Sequence, residues 1–343
     1  MSTQLLALSP WWSLTLTGVA AAAVCALILG FLLKSGLAWQ LATDLPNHRS
    51  LHTRPTPRVG GWGIAPVAAI GIWQLAPSLW LIALLMLFVA AVSQIDDRRG
   101  LPARVRFTAH LFVVVTTVSV YPAAVPVWAL AVIAILMVWL VNLYNFMDGA
   151  DGMAGGMALF GFAGYAAAAM LSGHAAPSLA LGSCVVAGAA AGFLCFNFHP
   201  ARIFLGDAGS ISLGFLAGAF GYWGWRDDVW PIWFPALVFS PFIGDASVTL
   251  LRRLLRGEKV WQAHREHYYQ RMVRSGMGHA KTAAVWYVVM LSGIILAVSA
   301  LDWPPMIQWV SVGAWVLVLA MMGIVVDARW RRFNSATLEN RGV

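Results

Sequence analysis

Leu79-Trp-Leu-Ile-Ala-Leu-Leu-Met-Leu-Phe-Val-Ala-Ala-Val92 runs without a charge, a glycine or a proline, and the stretch that follows, Ser93-Gln-Ile-Asp96-Asp97-Arg98-Arg99, is strongly polar. A membrane β-strand would alternate apolar and polar residues over about 10 positions. This run does not alternate, so a β-barrel is excluded and the segment reads as most of a membrane-crossing helix of about 20 residues. The same pattern recurs along the chain, with eleven candidate spans at 12–33, 60–76, 79–95, 107–121, 127–145, 153–172, 178–197, 209–225, 231–251, 283–300 and 306–326. Of the 343 residues, 60% are hydrophobic and 10% charged, against roughly 25% charged in soluble domains. Mean hydropathy is +0.75. The expected fold class is therefore all-α: a polytopic integral membrane protein with about eleven transmembrane helices.

Charge sets the orientation. With Lys34 to Arg58 placed in the cytoplasm, eleven spans put 21 of the 22 basic residues on that side and leave only Arg226 outside, as the positive-inside rule requires. Merging any two spans destroys the sorting. Met1 to Pro10 carries no basic residue, unlike the n-region of a signal peptide. The N-terminus is expected outside and the C-terminus in the cytoplasm. The formal charge of +8 is accounted for by this asymmetry, so no nucleic-acid partner is implied. Trp11, Trp12, Trp80, Trp128, Trp230, Trp303 and Trp330 fall near span ends and read as interfacial anchors. Cys25, Cys184 and Cys195 lie in apolar runs without ligand spacing, as core- or lipid-facing residues. A single domain over 1–343 is expected, with polar loops near 34–59, 96–106, 145–152, 198–209 and 252–282.

Asp96, Asp97, Asp148, Asp151, Asp207 and Asp245 all fall at or near cytoplasmic span ends. Carboxylates at a membrane edge are costly and face polar cavities. Each alone reads as a solvated loop residue or a helix cap; six on one side point to a shared site. In Asn145-Phe-Met-Asp148-Gly-Ala-Asp151-Gly152 the two aspartates are three apart, on one side of any helical turn. In Asn197-Phe-His199-Pro-Ala-Arg202-Ile-Phe-Leu-Gly206-Asp207-Ala-Gly209-Ser210 a glycine-flanked aspartate precedes a helix start, a setting for a hard cation and a phosphate. The adjacent pair Asp96-Asp97 suits metal ligation or base chemistry. Arg49, His52, Arg54 and Arg58 precede Gly60-Gly61, and His264, Arg265, His267, Arg271 and Arg274 occupy the last large cytoplasmic loop. Beside metal-competent acids they suit a phosphate-bearing substrate, although any one arginine is also explained by topology alone. Asp227-Asp228, a second acidic pair on the outer side, reads as a solvated loop.

Pro55-Thr-Pro-Arg58-Val-Gly60-Gly61, Asp96-Asp97, the two asparagine-led segments and His264-Arg-Glu-His267-Tyr-Tyr-Gln-Arg271 together resemble the polyprenyl-phosphate N-acetylhexosamine-1-phosphate transferases. That family includes phospho-N-acetylmuramoyl-pentapeptide translocase. The resemblance implies transfer of a sugar 1-phosphate from a UDP-N-acetylhexosamine to undecaprenyl phosphate, with Mg²⁺ or Mn²⁺ and release of UMP, at the cytoplasmic face of a bacterial inner membrane. It implies Asp207 as a metal ligand with Asn145 or Asp97 as helpers, and Asp96 or Asp97 assisting the lipid phosphate. Asp148 and Asp151 would line the nucleotide pocket, and His264 and His267 would bind the diphosphate. Arg54, Arg58, Arg106, Asn197 and Arg271 are further substrate-binding positions on this reading. Arg54 or Arg58 stands where the translocase has lysine, and His264 and His267 are more widely spaced than its histidine cluster. The variant looks more like enzymes that initiate O-antigen or other surface polysaccharides. The donor sugar and a homodimer are left open.

Two rivals differ in testable ways. A CDP-alcohol phosphotransferase would need Ala-Arg after Asp-Gly and two more spaced aspartates, a pattern that Asp148-Gly-Ala-Asp151-Gly does not meet. A proton-coupled transporter would hold its carboxylates near the bilayer midplane, whereas here they crowd one edge.

Overall fold

The computed structural model describes residues 10–46, 50–260, 262 and 264–339. Arg49 and Arg341, both used in the charge sorting, lie outside the described residues, as does most of Met1 to Pro10. The helices are α1 (Pro10–Lys34), α2 (Leu37–Leu41), α3 (Gly60–Leu75), α4 (Trp80–Arg99), α5 (Ala103–Val120), α6 (Val127–Phe146), α7 (Met153–Leu171), α8 (Pro177–Asn197), α9 (Asp207–Arg226), α10 (Trp233–Val238), α11 (Ser240–Leu255), α12 (Tyr268–Met272), α13 (Gly278–Ser299) and α14 (Pro305–Glu339). The fold is an all-α polytopic membrane bundle. Its described sheet is one short antiparallel pair, β1 (Thr43–Asp44) with β2 (Thr56–Pro57).

Every expected span coincides with helix. Eight helices are long and apolar enough to cross a membrane by length and composition. The other three segments depart from an ideal span in different ways. Helix α3 has only 16 residues, α9 is glycine-rich and enclosed by protein, and the ninth segment breaks at Phe239, where Pro241 enters the first turn of α11.

Helix α9 is the axis of the bundle. Every residue from Ala208 to Gly224 is buried, and α3, α4 and α6 pack around it. Small residues permit that approach: a Cβ on Gly61 would stand 2.6 Å from the Gly209 backbone nitrogen. At the periphery, Met306, Leu317, Met321 and Val325 of α14 are exposed, as a lipid-facing surface requires when all backbone groups are satisfied within the helix.

One expected anchor belongs to the core instead. Trp230 is 3% exposed; its indole stacks on Tyr165 at 5.0 Å and donates to the Gly221 carbonyl at 3.1 Å. Proximity to a span end did not distinguish it from Trp12 or Trp128, which are exposed.

Candidate active site

The proline-rich loop and the glycine–aspartate loop are joined strand-fashion. Phe204 N–H donates to the Pro57 carbonyl at 2.9 Å, Gly60 N–H to Phe204 at 2.9 Å and Gly61 N–H to Leu205 at 3.0 Å. This pairing carries Arg58 to the start of α9. Gly206 makes the turn with φ 74°, and a Cβ there would meet both the Arg58 carbonyl and Asp97 Oδ2 at 3.1 Å. Left-handed backbone and crowding together require glycine at this position.

The adjacent aspartates diverge. Asp97, with a side chain 2% exposed, lies 3.5 Å from the Arg58 guanidinium. It accepts the Asp207 N–H at 3.0 Å, so its charge meets the positive end of α9. Asp96 instead accepts the Leu101 N–H and pairs with Arg106 at 3.1 Å.

Asparagines tie the remaining loops together. Asn145 accepts the Ser210 hydroxyl at 3.0 Å. Asn197, buried, accepts the Gly152 N–H at 2.9 Å and donates to the Ile203 carbonyl at 3.0 Å. Asp151 accepts from His199 Nδ1 at 2.6 Å and from the Ala201 N–H at 3.2 Å.

Two cavities result. The first, about 310 Å³, is lined by Asp44, His52, Arg58, Asp148, Asp151 and Asn197, among others. The second, about 490 Å³, is lined by Asp96, Arg106, His110 and His267 together with Phe107, Ile211 and Leu250. They share Asn145, Asp207, His264 and Gln270. The first is walled mainly by charged and polar groups, with Leu51 and Phe204 among them; the second adds an apolar wall from α5, α9 and α11.

Electrostatics mark the junction. Burial, followed by the charges of Asp207 and Asp97, holds the Asp148 carboxyl well above the usual carboxylate range, with Arg58 opposing. Burial, then His267 and Arg253, push His264 down to about 4. Its imidazole is therefore neutral at physiological pH, a hydrogen-bonding group rather than a cation.

Residues 79–224 match the glycosyl transferase family 4 domain. Among the chain's relatives is the probable undecaprenyl-phosphate N-acetylglucosaminyl 1-phosphate transferase of Bacillus subtilis, 29% identical over 83% of this chain and 84% of that protein. The decaprenyl-phosphate N-acetylglucosaminephosphotransferase of Mycobacterium tuberculosis is 29% identical, with 72% of each chain covered. The phospho-N-acetylmuramoyl-pentapeptide-transferase of Thermosynechococcus vestitus is 31% identical, with 62% of each covered.

The matched segment contributes Asp96, Arg106, Asn145, Asp148, Asp151, Asn197 and Asp207 to the two cavities, with Asp97 behind Asp207; Arg58, His264 and His267 reach them from outside it. Two expected substrate contacts are not brought there. Arg54 is exposed on its loop. Arg271 is held by Asp327 of α14 at 2.7 Å and lies 3.7 Å from Glu266, so its guanidinium is already engaged. Sequence reasoning missed Asp44, Gln270 and His279. Gln270 gives no charge signal, while Asp44 and His279 stand away from the glycine-rich segments that drew attention.

Asp245 was noticed only as one of six acids. Buried in α11, it accepts His267 Nδ1 at 3.0 Å, the Tyr268 and Tyr269 N–H groups at 2.9 and 3.0 Å and the Thr249 hydroxyl at 3.2 Å. It fixes the His267 ring while capping α12. Asp245→Asn should lower turnover about 10- to 100-fold, the usual cost of losing a partner that orients a working histidine. In a double-mutant cycle it should add little to His267→Ala; full additivity would mean that Asp245 acts elsewhere.

Proposed function

We propose that this protein transfers N-acetylhexosamine 1-phosphate from a UDP-sugar to undecaprenyl phosphate, releasing UMP at the cytoplasmic face and initiating a surface polysaccharide. The observation that carries the reading is the junction of a polar cavity with a partly apolar one at Asn145, Asp207, His264 and Gln270. A water-soluble donor suits the first, and a lipid-borne phosphate suits the second. The relatives named as polyprenyl-phosphate sugar-phosphate transferases support it.

Chemically, phosphoryl transfer needs positioning and charge neutralisation more than covalent help. Arg58 and neutral His264 would bind donor phosphate oxygens, and Arg106, paired with Asp96, would receive the acceptor phosphate. Asp245 holds His267 with Nδ1 engaged, leaving Nε2 for hydrogen bonding. The oxygen-rich set around Asp207, whose negative charge adds to burial in raising the Asp148 carboxyl, fits a hard dication. Asp207 and Asn145 would hold Mg²⁺, with Asp97 supporting from behind. When bound, the ion neutralises charge on the transferring phosphate.

Supplying membranes with undecaprenyl phosphate and a panel of UDP-N-acetylhexosamines tests the reading. UMP formation is expected with at least one donor; UDP formation, or no nucleotide release, contradicts it. A pH dependence follows from Asp148. Burial first, and then the negative field of Asp207 and Asp97, keeps its proton on; a nearby dication opposes that field, so Mg²⁺ binding should release a proton, strengthen as pH rises and weaken as pH falls. His264, titrating near 4, should not contribute above pH 5. Calorimetry in buffers of different ionisation enthalpy measures the release. Identical heats in all buffers would contradict the expectation.

A further inference from the structure

Asp151, His199 and His279 converge from three segments: the loop after α6, the loop after α8 and the first turn of α13. One donor atom from each lies within 4.8 Å of the others. The two carboxylate oxygens divide between the rings, with Oδ2 at 2.6 Å from His199 Nδ1 and Oδ1 at 3.4 Å from His279 Nδ1. His279 is oriented from behind, where Nε2–H donates toward the Leu51 carbonyl at 3.4 Å; on the site side Nδ1 accepts the Asp151 backbone N–H at 3.2 Å, a bond that the ion would replace. A backbone carbonyl on the distal nitrogen is the arrangement that orients metal-ligating histidines.

We propose that Asp151, His199 and His279 form a second cation site, distinct from the oxygen-rich set at Asp207 and selective for a borderline divalent transition metal such as Zn²⁺ or Fe²⁺. Imidazole nitrogen is a poor ligand for Mg²⁺ and a good one for these ions, and two histidines with one carboxylate leave further positions open. An ion with bonds of about 2.1 Å spans donors up to about 4.2 Å apart, so the triad needs to close by less than about 1 Å. Binding displaces the proton that His199 Nδ1 shares with Asp151, which passes to solvent. His199 is exposed while Asp151 is buried, which provides an entry path on one side and a dry support on the other. Since Asp151 and His279 line the polar cavity, the ion would pin two loops to the start of α13 at its edge.

The proposal stands apart from the transfer reaction, because its test is spectroscopic. Full-length protein in detergent, stripped of metal and held in saturating Mg²⁺ to occupy oxygen sites, is titrated with Co²⁺ while visible absorption is recorded. A band of nitrogen-ligated Co²⁺ at one equivalent is expected. It should weaken at least 10-fold in affinity in His199→Gln and in His279→Gln and persist in Asp207→Asn. His199 is at the surface, so its replacement does not threaten the fold. Absence of the band in the wild-type protein, or an unchanged titration in either histidine variant, would overturn the site, as would loss of the band in Asp207→Asn.

Discussion

Asp207→Asn is expected to reduce UMP release at least about 100-fold, while Asp228→Asn leaves it unchanged. Among the described residues, Asp207 is the one carboxylate that lines both cavities, and it opens α9 beside Asp97 and Arg58. Removing a charge aimed at the transferring group costs about 10²–10³ in turnover in preorganised sites. Asp228 is exposed in the loop that follows α9, at the opposite end of that helix from Asp207. Initial rates on matched quantities of inserted protein decide the matter, with Mg²⁺ titrated in each variant. Wild-type turnover and unchanged Mg²⁺ dependence in Asp207→Asn would remove the metal assignment.

His267→Ala should lose activity about 100-fold or more, in the range for a positioned imidazole, and insert normally. Arg271→Lys should retain nearly wild-type kinetics. The contrast arises from the structure, since sequence alone places both residues on the donor diphosphate. His267 lines the second cavity, whereas Arg271 spends its guanidinium on Asp327 of the last helix. Its replacement is expected to appear as a lower thermal midpoint, because lysine cannot reproduce the planar fork. A kinetic defect in Arg271→Lys with unchanged thermal stability would return Arg271 to the donor site.

Spans were legible because lipid leaves the backbone no partner except its own helix, so apolar length alone announces them. Burial was less legible. Trp230 and Trp128 share a span-end position, yet only packing against Tyr165 makes one of them core. The carboxylate loops were legible through glycine and side preference, and Asp148, Asp151 and Asp207 do line one cavity. What pattern could not supply was partnership. Asp96 and Asp97 are neighbours in sequence, but one turns to Arg106 and the other to the start of α9. Asn197, expected at the substrate, spends both ends of its amide on backbone. His279 lies 128 residues from Asp151, and no local spacing encodes that approach.

The central claim is that a phosphate moves together with the sugar. UDP-N-acetylhexosamine labelled at the β-phosphate, offered to proteoliposomes containing the protein and undecaprenyl phosphate, tests it most directly. The account predicts that the label passes into the lipid fraction in step with unlabelled UMP, and that Asp207→Asn abolishes both. Label remaining on the nucleotide as UDP, while the sugar enters the lipid, would contradict it.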